Sequence, residues 1–307
     1  MAFTSLNSNA IEPEYSLVSS GAVTSLFIEN DILYVANDAG SIDIFNWKKK
    51  TKIKSISFPS IKDFMGDEIP PKIYSIDKLN DQIIAVTQGK HGFRNVFTIN
   101  NDEITKIFDA DKDKLMVKKA LFIDSGRILI STLGNEIMLY NISETKFEYK
   151  KQISTSVFSD IDINEDKTQA VTSDESGIIH LIDIETGDLV KEFIGMNLDN
   201  VYQVVYNNNM LVGAGQDRRV SVYHTKSAKS YFIESSFIVY CVGMSDDEKW
   251  AAFSMGEDNY IKVFNTSTKS EKAILKGQKS TLTQIKFVGD YIITSSEDKY
   301  IMVWKWN

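Results

Sequence analysis

The sequence predicts an all-β fold, a single seven-bladed β-propeller with four antiparallel strands in each blade. A turn rich in Gly, Asp or Asn, followed by a β-rich run that ends in a large residue, recurs seven times. The large residues that close these runs are Phe45, Phe97, Tyr140, Ile182, Tyr223, Phe264 and Trp304. Their successive separations are 52, 43, 42, 41, 41 and 40 positions. A period of about 40 residues with strand patterning is typical of a propeller with one blade per repeat.

The first repeat divides into four strands, counted from the innermost to the outermost. We predict an inner strand over 22–28, a second strand over 32–36, a third over 41–45 and an outer strand over 52–58. Apolar and polar residues alternate along most of the second strand and all of the third, which indicates half-buried strands. The second strand recurs at 83–86, 128–130, 169–171, 210–212, 250–253 and 291–293. These copies are more uniformly apolar, as expected for strands covered on both faces.

The last repeat stops after its third strand, because the sequence ends at Asn307. The segment 11–18 precedes the first inner strand, and its Pro13 is compatible with an edge strand. We therefore predict that residues 11–18 form the outer strand of blade seven and close the ring. Closure would make 11–307 a single propeller domain and would protect strand edges that otherwise invite aggregation.

Residues 1–10 precede the predicted propeller and allow two interpretations. Ser8 and Ala10 are spaced as at a signal-peptidase cleavage site, so the segment could be the remnant of a signal peptide. The segment lacks a basic start and a full apolar core, so a short disordered leader is the alternative.

The composition argues against several classes of function. The formal net charge is −8, whereas binding to nucleic acid or to an anionic membrane needs clustered Lys and Arg. The densest basic run is Lys48 to Lys50, followed by Lys52 and Lys54, and we expect it to be a solvated hairpin. No apolar run reaches the length of a membrane span. We therefore expect neither a nucleic-acid partner nor a membrane span.

Cys241 is the only cysteine, so no intrachain disulfide is possible and the redox compartment stays open. It lies in the apolar segment 237–242, which we predict to be a buried inner strand. A small buried thiol is expected there rather than a nucleophile.

Three aspartates in the turns between second and third strands each lie six residues before the closing large residue. They are Asp217, Asp258 and Asp298, with offset equivalents at Asp38 and Asp174. A carboxylate at this point can accept backbone N–H hydrogen bonds and hold a tight turn. We predict a structural role for these residues and no catalytic one.

The repeats resemble the WD-repeat family, most closely in repeats five to seven. The resemblance in the last repeat rests on Leu275, Lys276, Gly277, Gln278, Leu282, Ile285, Phe287, Ser296, Asp298, Val303 and Trp304. The family favours Gly-His where this chain has Gly277-Gln278, and it favours Trp-Asp where this chain has Trp304-Lys305. The departure implies that the buried His–Ser–Asp–Trp network of the family is absent here.

The separation of 52 residues marks an insertion over 59–72, between the outer strand of blade one and the inner strand of blade two. The loop 88–95 of blade two is also unusual, and both loops should emerge on the same face of the ring. Loops on a rigid scaffold commonly carry binding. The candidate partner-binding residues are Asp63, Phe64, Met65, Asp67, His91, Phe93 and Arg94. Exposed aromatic, Met and Arg side chains are usual anchors of protein interfaces.

Two alternatives remain open for these loops. Phe64 and Met65 could fold back and cap the channel, leaving the charges solvated. An acid–His–Arg cluster around His91 and Arg94 could instead bind a small anion or perform acid–base chemistry. Elsewhere, His180 and His224 lack the spacing of a metal site, and no phosphate loop or nucleophile elbow is present. We therefore predict no catalytic residue, no metal site and no cofactor.

A narrower resemblance covers mostly the N-terminal third, in the stretches 11–15, 20–23, 62–67 and 72–77. These stretches are similar to propeller accessory proteins of periplasmic nitrate reductase gene clusters in some ε-class proteobacteria. The resemblance implies a periplasmic, non-catalytic bacterial protein that supports the reductase and whose mature chain starts at Ile11. The alternatives are a small-molecule-binding or hydrolytic propeller with its site at the rim of blades one and two, and a generic cytoplasmic scaffold. We expect the protein to be a monomer on its own.

Overall fold

A computed structural model describes residues 10–307, and nearly all of its regular structure is β-strand. Seven antiparallel sheets of four strands each form the blades, with one further strand on blade six. The inner strands of successive blades contact one another all the way round, including the last against the first. The predicted seven-bladed propeller is therefore confirmed.

Each blade consists of an inner, a second, a third and an outer strand. From blade one to blade seven, the inner strands are Val23–Glu29, Ile73–Leu79, Val117–Phe122, Phe158–Ile163, Val201–Tyr206, Val242–Met244 and Leu282–Val288. The second strands are Ile32–Asn37, Gln82–Gln88, Arg127–Thr132, Gln169–Asp174, Met210–Gly215, Trp250–Met255 and Tyr291–Ser296. The third strands are Ser41–Asn46, Arg94–Asn100, Glu136–Asn141, Ile179–Asp183, Arg219–His224, Tyr260–Asn265 and Tyr300–Lys305. The outer strands are Thr51–Ser57, Glu103–Phe108, Lys146–Gln152, Leu189–Phe193, Ser230–Glu234, Glu271–Leu275 and Tyr15–Val18.

The remaining elements are short. Ile61–Lys62 pairs with Glu68–Ile69 to make a small hairpin inside the predicted insertion, and we call the segment 61–69 the insertion hairpin. One 3-10 turn covers Lys90–Gly92 and one α-helical turn covers Ala110–Asp113. No helix within residues 10–307 is long and apolar enough to cross a membrane.

The core is divided among the seven junctions between blades. Each of seven hydrophobic clusters combines buried side chains of two adjacent blades, and the cluster containing Leu17, Leu33 and Val303 joins blade seven to blade one. The second strands are the most deeply buried, as their apolar sequence predicted, and every residue of Met210–Gly215 is buried. Burial of both faces explains why these strands do not alternate.

Ring closure occurs as predicted for part of the N-terminal segment only. Tyr15–Val18 pairs antiparallel with Tyr300–Lys305 and completes blade seven. Ala10–Ile11 instead pairs in parallel with the outer strand of blade six, so the prediction of one closing strand over 11–18 was wrong at its start. Pro13 lies between the two pairings and has no N–H for a ladder, which explains why the segment changes sheets there. The predicted leader at 1–9 lies outside the described residues.

The inner strand of blade six is shorter than predicted. The sequence indicated a strand over 237–242, but the strand begins at Val242. The backbone N–H groups of Tyr240 and Cys241 donate to the Ser254 hydroxyl, at 2.9 and 3.2 Å, instead of entering a regular ladder. Cys241 is fully buried, and burial raises the pKa of its thiol well above the usual range.

The outer strands of five blades carry a β-bulge. One extra residue interrupts the pairing with the third strand in blades one, two, three, four and six. Ile53 and Val190 are two of these extra residues, and both are about half exposed, at 53% and 52%. A bulge twists an edge away from further pairing, so these outer edges are protected from adding strands of another chain.

Candidate functional site

The two unusual loops lie side by side on one face of the ring. We define the top face as the side of the ring where each outer strand leads into the next blade and each second strand turns into the third strand. The insertion hairpin and the segment 88–92 together line a groove of about 480 Å³. The neighbour relation predicted from the sequence is therefore correct.

Asp63 holds the tip of the insertion hairpin. One carboxylate oxygen, Oδ1, accepts hydrogen bonds from the backbone N–H groups of Met65 and Asp67, both at 2.9 Å. The Asp63 N–H donates to the Asp67 carbonyl at 3.0 Å, and Gly66 takes the left-handed conformation that the turn requires, with φ +91°. Asp63 therefore shapes the loop through one carboxylate oxygen.

Phe64 and Met65 project from the hairpin tip that Asp63 holds. Their side chains are 94% and 72% exposed, so the alternative in which they fold back to cap the channel was wrong. Asp67 and Glu68 beside them are also exposed. The hairpin thus presents an aromatic ring and a thioether to solvent with charged neighbours around them.

The loop of blade two is a compact turn beneath this hairpin. Phe93 is partly buried, and its backbone closes the turn by accepting from Gly89 and donating to Lys90, each at 3.0 Å. Gly89 is required by close packing, because a Cβ there would lie 2.3 Å from the Cβ of Ala110. His91 is exposed at the turn, with φ +56°.

Arg94 points toward the inner strand of its own blade. Its guanidinium carbon lies 3.8 Å from the centre of the Tyr74 ring, and Nη1 donates to the Gly92 carbonyl at 3.0 Å. Stacking of this kind is a cation–π contact. Partial burial lowers the pKa of Arg94. The seven candidates thus divide into four residues of the insertion hairpin, two of the blade-two turn (His91 and Phe93), and Arg94 at the rim of the ring centre.

The residues that share this rim with Arg94 were not predicted. In six blades the second residue of the inner strand is a bulge that interrupts pairing with the second strand. These bulge residues are Thr24, Tyr74, Lys118, Ser159, Tyr202 and Thr283. A shared sequence pattern could have identified them. The pattern is an apolar residue, a variable residue, a polar residue and another apolar residue, as in Val117-Lys118-Lys119-Ala120.

Asp217 and Asp298 accept backbone hydrogen bonds in their turns. Asp217 accepts from the N–H of Leu198 at 2.7 Å and from that of Arg219 at 3.2 Å. Asp298 accepts from the N–H of Tyr300 at 2.8 Å. Asp258, within the part of the chain that the structure describes, makes no side-chain hydrogen bond. Its turn is closed by the backbone, where Asn259 donates to Gly256 at 3.4 Å.

Blade seven contains a chain of side-chain hydrogen bonds that the sequence did not predict. Buried Gln278 donates through Nε2 to the Ser296 hydroxyl, which donates in turn to Asp298 at 2.8 Å. The His–Ser–Asp–Trp network is therefore not formed in blade seven, but Gln278, Ser296 and Asp298 form a chain of hydrogen bonds in place of part of it. Trp304 is fully buried, but its indole N–H donates to the Lys276 carbonyl at 3.3 Å rather than to this network.

His180 is a buried residue on the third strand of blade four. Its Nδ1 lies 3.9 Å from Asp174, and its Nε2 lies 3.5 Å from Glu192. Burial lowers the pKa of the imidazole despite these two carboxylates. Within residues 10–307, no group of three or more His, Cys, Asp or Glu side chains converges as a metal site would require.

Comparison with protein-family models matches one segment of the chain. The family model described as WD domain, G-beta repeat matches residues 269–305. The matched segment starts just before the outer strand of blade six and ends with the third strand of blade seven, so the sequence repeat is offset from the blade by one strand. No curated protein matches the chain. The matched repeat and the seven-bladed ring together support a WD-repeat-like propeller.

Proposed function

We propose that this chain is a non-enzymatic propeller that binds another protein through its top face, with the insertion hairpin as an anchor. The matched WD repeat and the rigid ring are consistent with a protein-binding scaffold. Loops held on such a ring bind with little rearrangement of the scaffold beneath them.

One observation carries the proposal: exposed large apolar side chains are concentrated on one face. Eleven are exposed among residues 10–307, and three of them, Ile53, Leu189 and Val190, lie at the start or in the middle of outer strands, away from the top face. The other eight lie at the top face: Val18, Phe64, Met65, Met116, Val157, Ile194, Leu198 and Tyr300. Apolar surface concentrated in this way marks an interaction site better than apolar residues scattered singly.

The hairpin tip is the strongest anchor within this face. Phe64 and Met65 belong to residue types that are enriched at interface cores, and Phe64 is almost fully accessible at 94%. Burying a side chain of this size against a partner contributes about 2 kcal/mol. Asp63 already orders the tip, so less conformational entropy is lost when the partner binds.

Partner capture with matched variants tests the proposal. Phe64→Ser with Met65→Ser should abolish recovery of a specific partner by the immobilised protein. Ile53→Ser with Val190→Ser removes exposed apolar side chains from outer strands and should leave capture unchanged. Thermal unfolding of both double variants should match that of the wild type. Equal capture by wild type and the hairpin variant would refute the assignment of the anchor.

The partner we propose is a periplasmic nitrate reductase component, with this chain acting beside it in the periplasm. The support is the resemblance in the stretches 11–15, 20–23, 62–67 and 72–77. Affinity capture from the native organism, read by mass spectrometry, should recover reductase subunits, and cell fractionation should place the chain in the periplasm. A reproducible unrelated partner would replace the reductase, and a cytoplasmic location would favour a general scaffold.

A further inference from the structure

Three cations lie at the top rim beside the insertion hairpin, and two of them lie against the Tyr74 ring. Arg94 stacks on the Tyr74 ring at 3.8 Å, and Lys72 Nζ lies 5.9 Å from the centre of the same ring. Lys118 is the bulge residue of the next inner strand. Within residues 10–307, none of these three cations forms a salt bridge, although lysines nearby do.

Two neighbouring lysines, by contrast, are paired. Lys90 pairs with Asp111 at 3.0 Å, and Lys106 pairs with Asp109 at 2.8 Å. Asp160, the carboxylate that acts on Lys118, is already engaged by Lys119 at 2.5 Å. Lys118 therefore lies within the repulsion of Arg94 and Lys72, and no carboxylate within residues 10–307 forms a salt bridge with any of the three.

Lys118 shows the cost of this arrangement. Its partial burial lowers the pKa of the ammonium group. Asp160 opposes this effect, and Lys119, Arg94 and Lys72 each lower the pKa by a smaller amount. A charged group is rarely left buried and unpaired in a folded protein. A bound anion would relieve both the desolvation and the repulsion.

The rim cluster is continuous with the groove at the insertion hairpin. Gln88 lines the groove, and its N–H donates to the Lys72 carbonyl at 2.7 Å. Gly92 also lines the groove, and the Met116 methyl lies 3.9 Å from the position that a Cβ of Gly92 would occupy. Exposed Phe64 and Met116 thus lie on the same surface as the three cations.

We propose that this surface binds an acidic peptide segment of the partner, with an apolar side chain held near Phe64 and Met116 and carboxylates held by Lys72, Arg94 and Lys118. The inference rests on the protein-binding function proposed above and names the chemistry of the bound segment. Charge complementarity is the argument, because a local cation cluster on a chain of net charge −8 selects short anionic segments. A long polyanion such as nucleic acid would be repelled by the rest of the chain.

Selection from a random peptide library on phage, panned against the wild-type protein, gives the probe for the test. We expect the enriched peptides to combine Asp or Glu with an aromatic or aliphatic residue. One enriched peptide, labelled with fluorescein, is then titrated by fluorescence anisotropy. Lys72→Gln with Lys118→Gln should weaken binding about tenfold or more. The matched control, Lys279→Gln with Lys299→Gln, removes two exposed top-face lysines from blade seven and should change binding less than twofold.

Each outcome decides between the two proposals. Binding that is lost in the Phe64→Ser, Met65→Ser variant but unchanged in Lys72→Gln, Lys118→Gln would leave the protein-binding function standing and overturn the acidic-peptide inference. Enrichment of neutral or basic peptides, or of none, would also overturn it. Tighter binding of a single-stranded oligonucleotide than of the selected peptide would overturn it as well. Both variants must show the thermal unfolding of the wild type.

Discussion

Asp43 is a buried carboxylate on the third strand of blade one, and its neighbours stabilise it as an anion. Lys52 Nζ lies 2.7 Å from Oδ1, the Ser55 hydroxyl donates at 2.6 Å, and the Ser20 N–H donates at 2.6 Å. Burial alone would raise the pKa of this carboxyl, but the hydrogen bonds outweigh it and hold the pKa below its usual value. One residue thus ties the start of the first inner strand to the third and outer strands.

Asp43→Asn should therefore destabilise the protein in a pH-dependent way. A depressed folded-state pKa contributes stability that is present above the unfolded value of about 3.9 and is lost as the pH falls through the folded-state pKa. We expect the variant to lose about 2 kcal/mol of unfolding free energy at pH 7, with the difference from wild type shrinking below about pH 4. Urea unfolding across pH 3 to 7 measures it. A difference that stays constant with pH would show that Asp43 acts through shape rather than charge.

The inner strands are joined by side chains that bond to the backbone of the next blade. Six backbone N–H groups on the inner strands donate to a side chain on the inner strand of the preceding blade. The accepting side chains are Ser25, Asp77, Asp160, Asp162, Gln203 and Gln284. Between blades three and four the side chain is the donor instead of the acceptor, because Lys119 Nζ donates to the Ile161 carbonyl at 3.3 Å. These bonds satisfy strand edges that would otherwise face the ring centre unpaired.

Gln203→Ala tests one such junction. Its Oε1 accepts from the Val242 N–H at 2.9 Å, and its Nε2 donates to the Thr283 carbonyl at 3.3 Å, so the side chain links blades five, six and seven. We expect a loss of about 1–2 kcal/mol, because the Val242 N–H is left without a partner. Gln82→Ala, on the second strand of blade two, is the control and should cost less than about 0.5 kcal/mol. Equal losses in chemical denaturation would contradict the junction role of Gln203.

The elements differ in how far the sequence could predict them. The four strands of blade one lie within one residue of the predicted bounds at every end, because their alternation and turns are local signals. The start of the inner strand of blade six was misplaced, because the N–H groups of Tyr240 and Cys241 donate to the Ser254 hydroxyl, 14 and 13 positions away in the chain. The rim cation Lys118 was missed for the same reason, since only the ring brings blade three beside Arg94 of blade two.

The whole molecule is a closed cycle of seven hydrophobic junctions. Each blade shares a cluster with both of its neighbours, so no blade has a complete core of its own. Repeat architectures of this kind depend on contacts between neighbouring units, and a closed ring has no terminal unit to fray. The junction between blades seven and one depends on the N-terminal strand, whose Leu17 is 5% exposed within the cluster.

Stepwise truncation of the N-terminus should separate the two strands found there. Removing residues 1–11 takes away the parallel pair on blade six, including the bond from Lys276 N–H to the Ile11 carbonyl at 2.9 Å, and should lower the melting temperature by about 2 °C or less. Removing residues 1–18 also deletes the outer strand of blade seven and uncovers the cluster around Leu17.

The longer truncation should lower the melting temperature by about 10 °C or more, because a buried leucine and a four-residue ladder are lost together. Leu17→Ser in the full chain is the matched variant and should reproduce about half of the shift, since it removes the buried side chain but keeps the ladder. Differential scanning calorimetry measures all three proteins. Similar melting temperatures for the two truncations would mean that blade seven does not need Tyr15–Val18, and the closure of the ring by this strand would have to be abandoned.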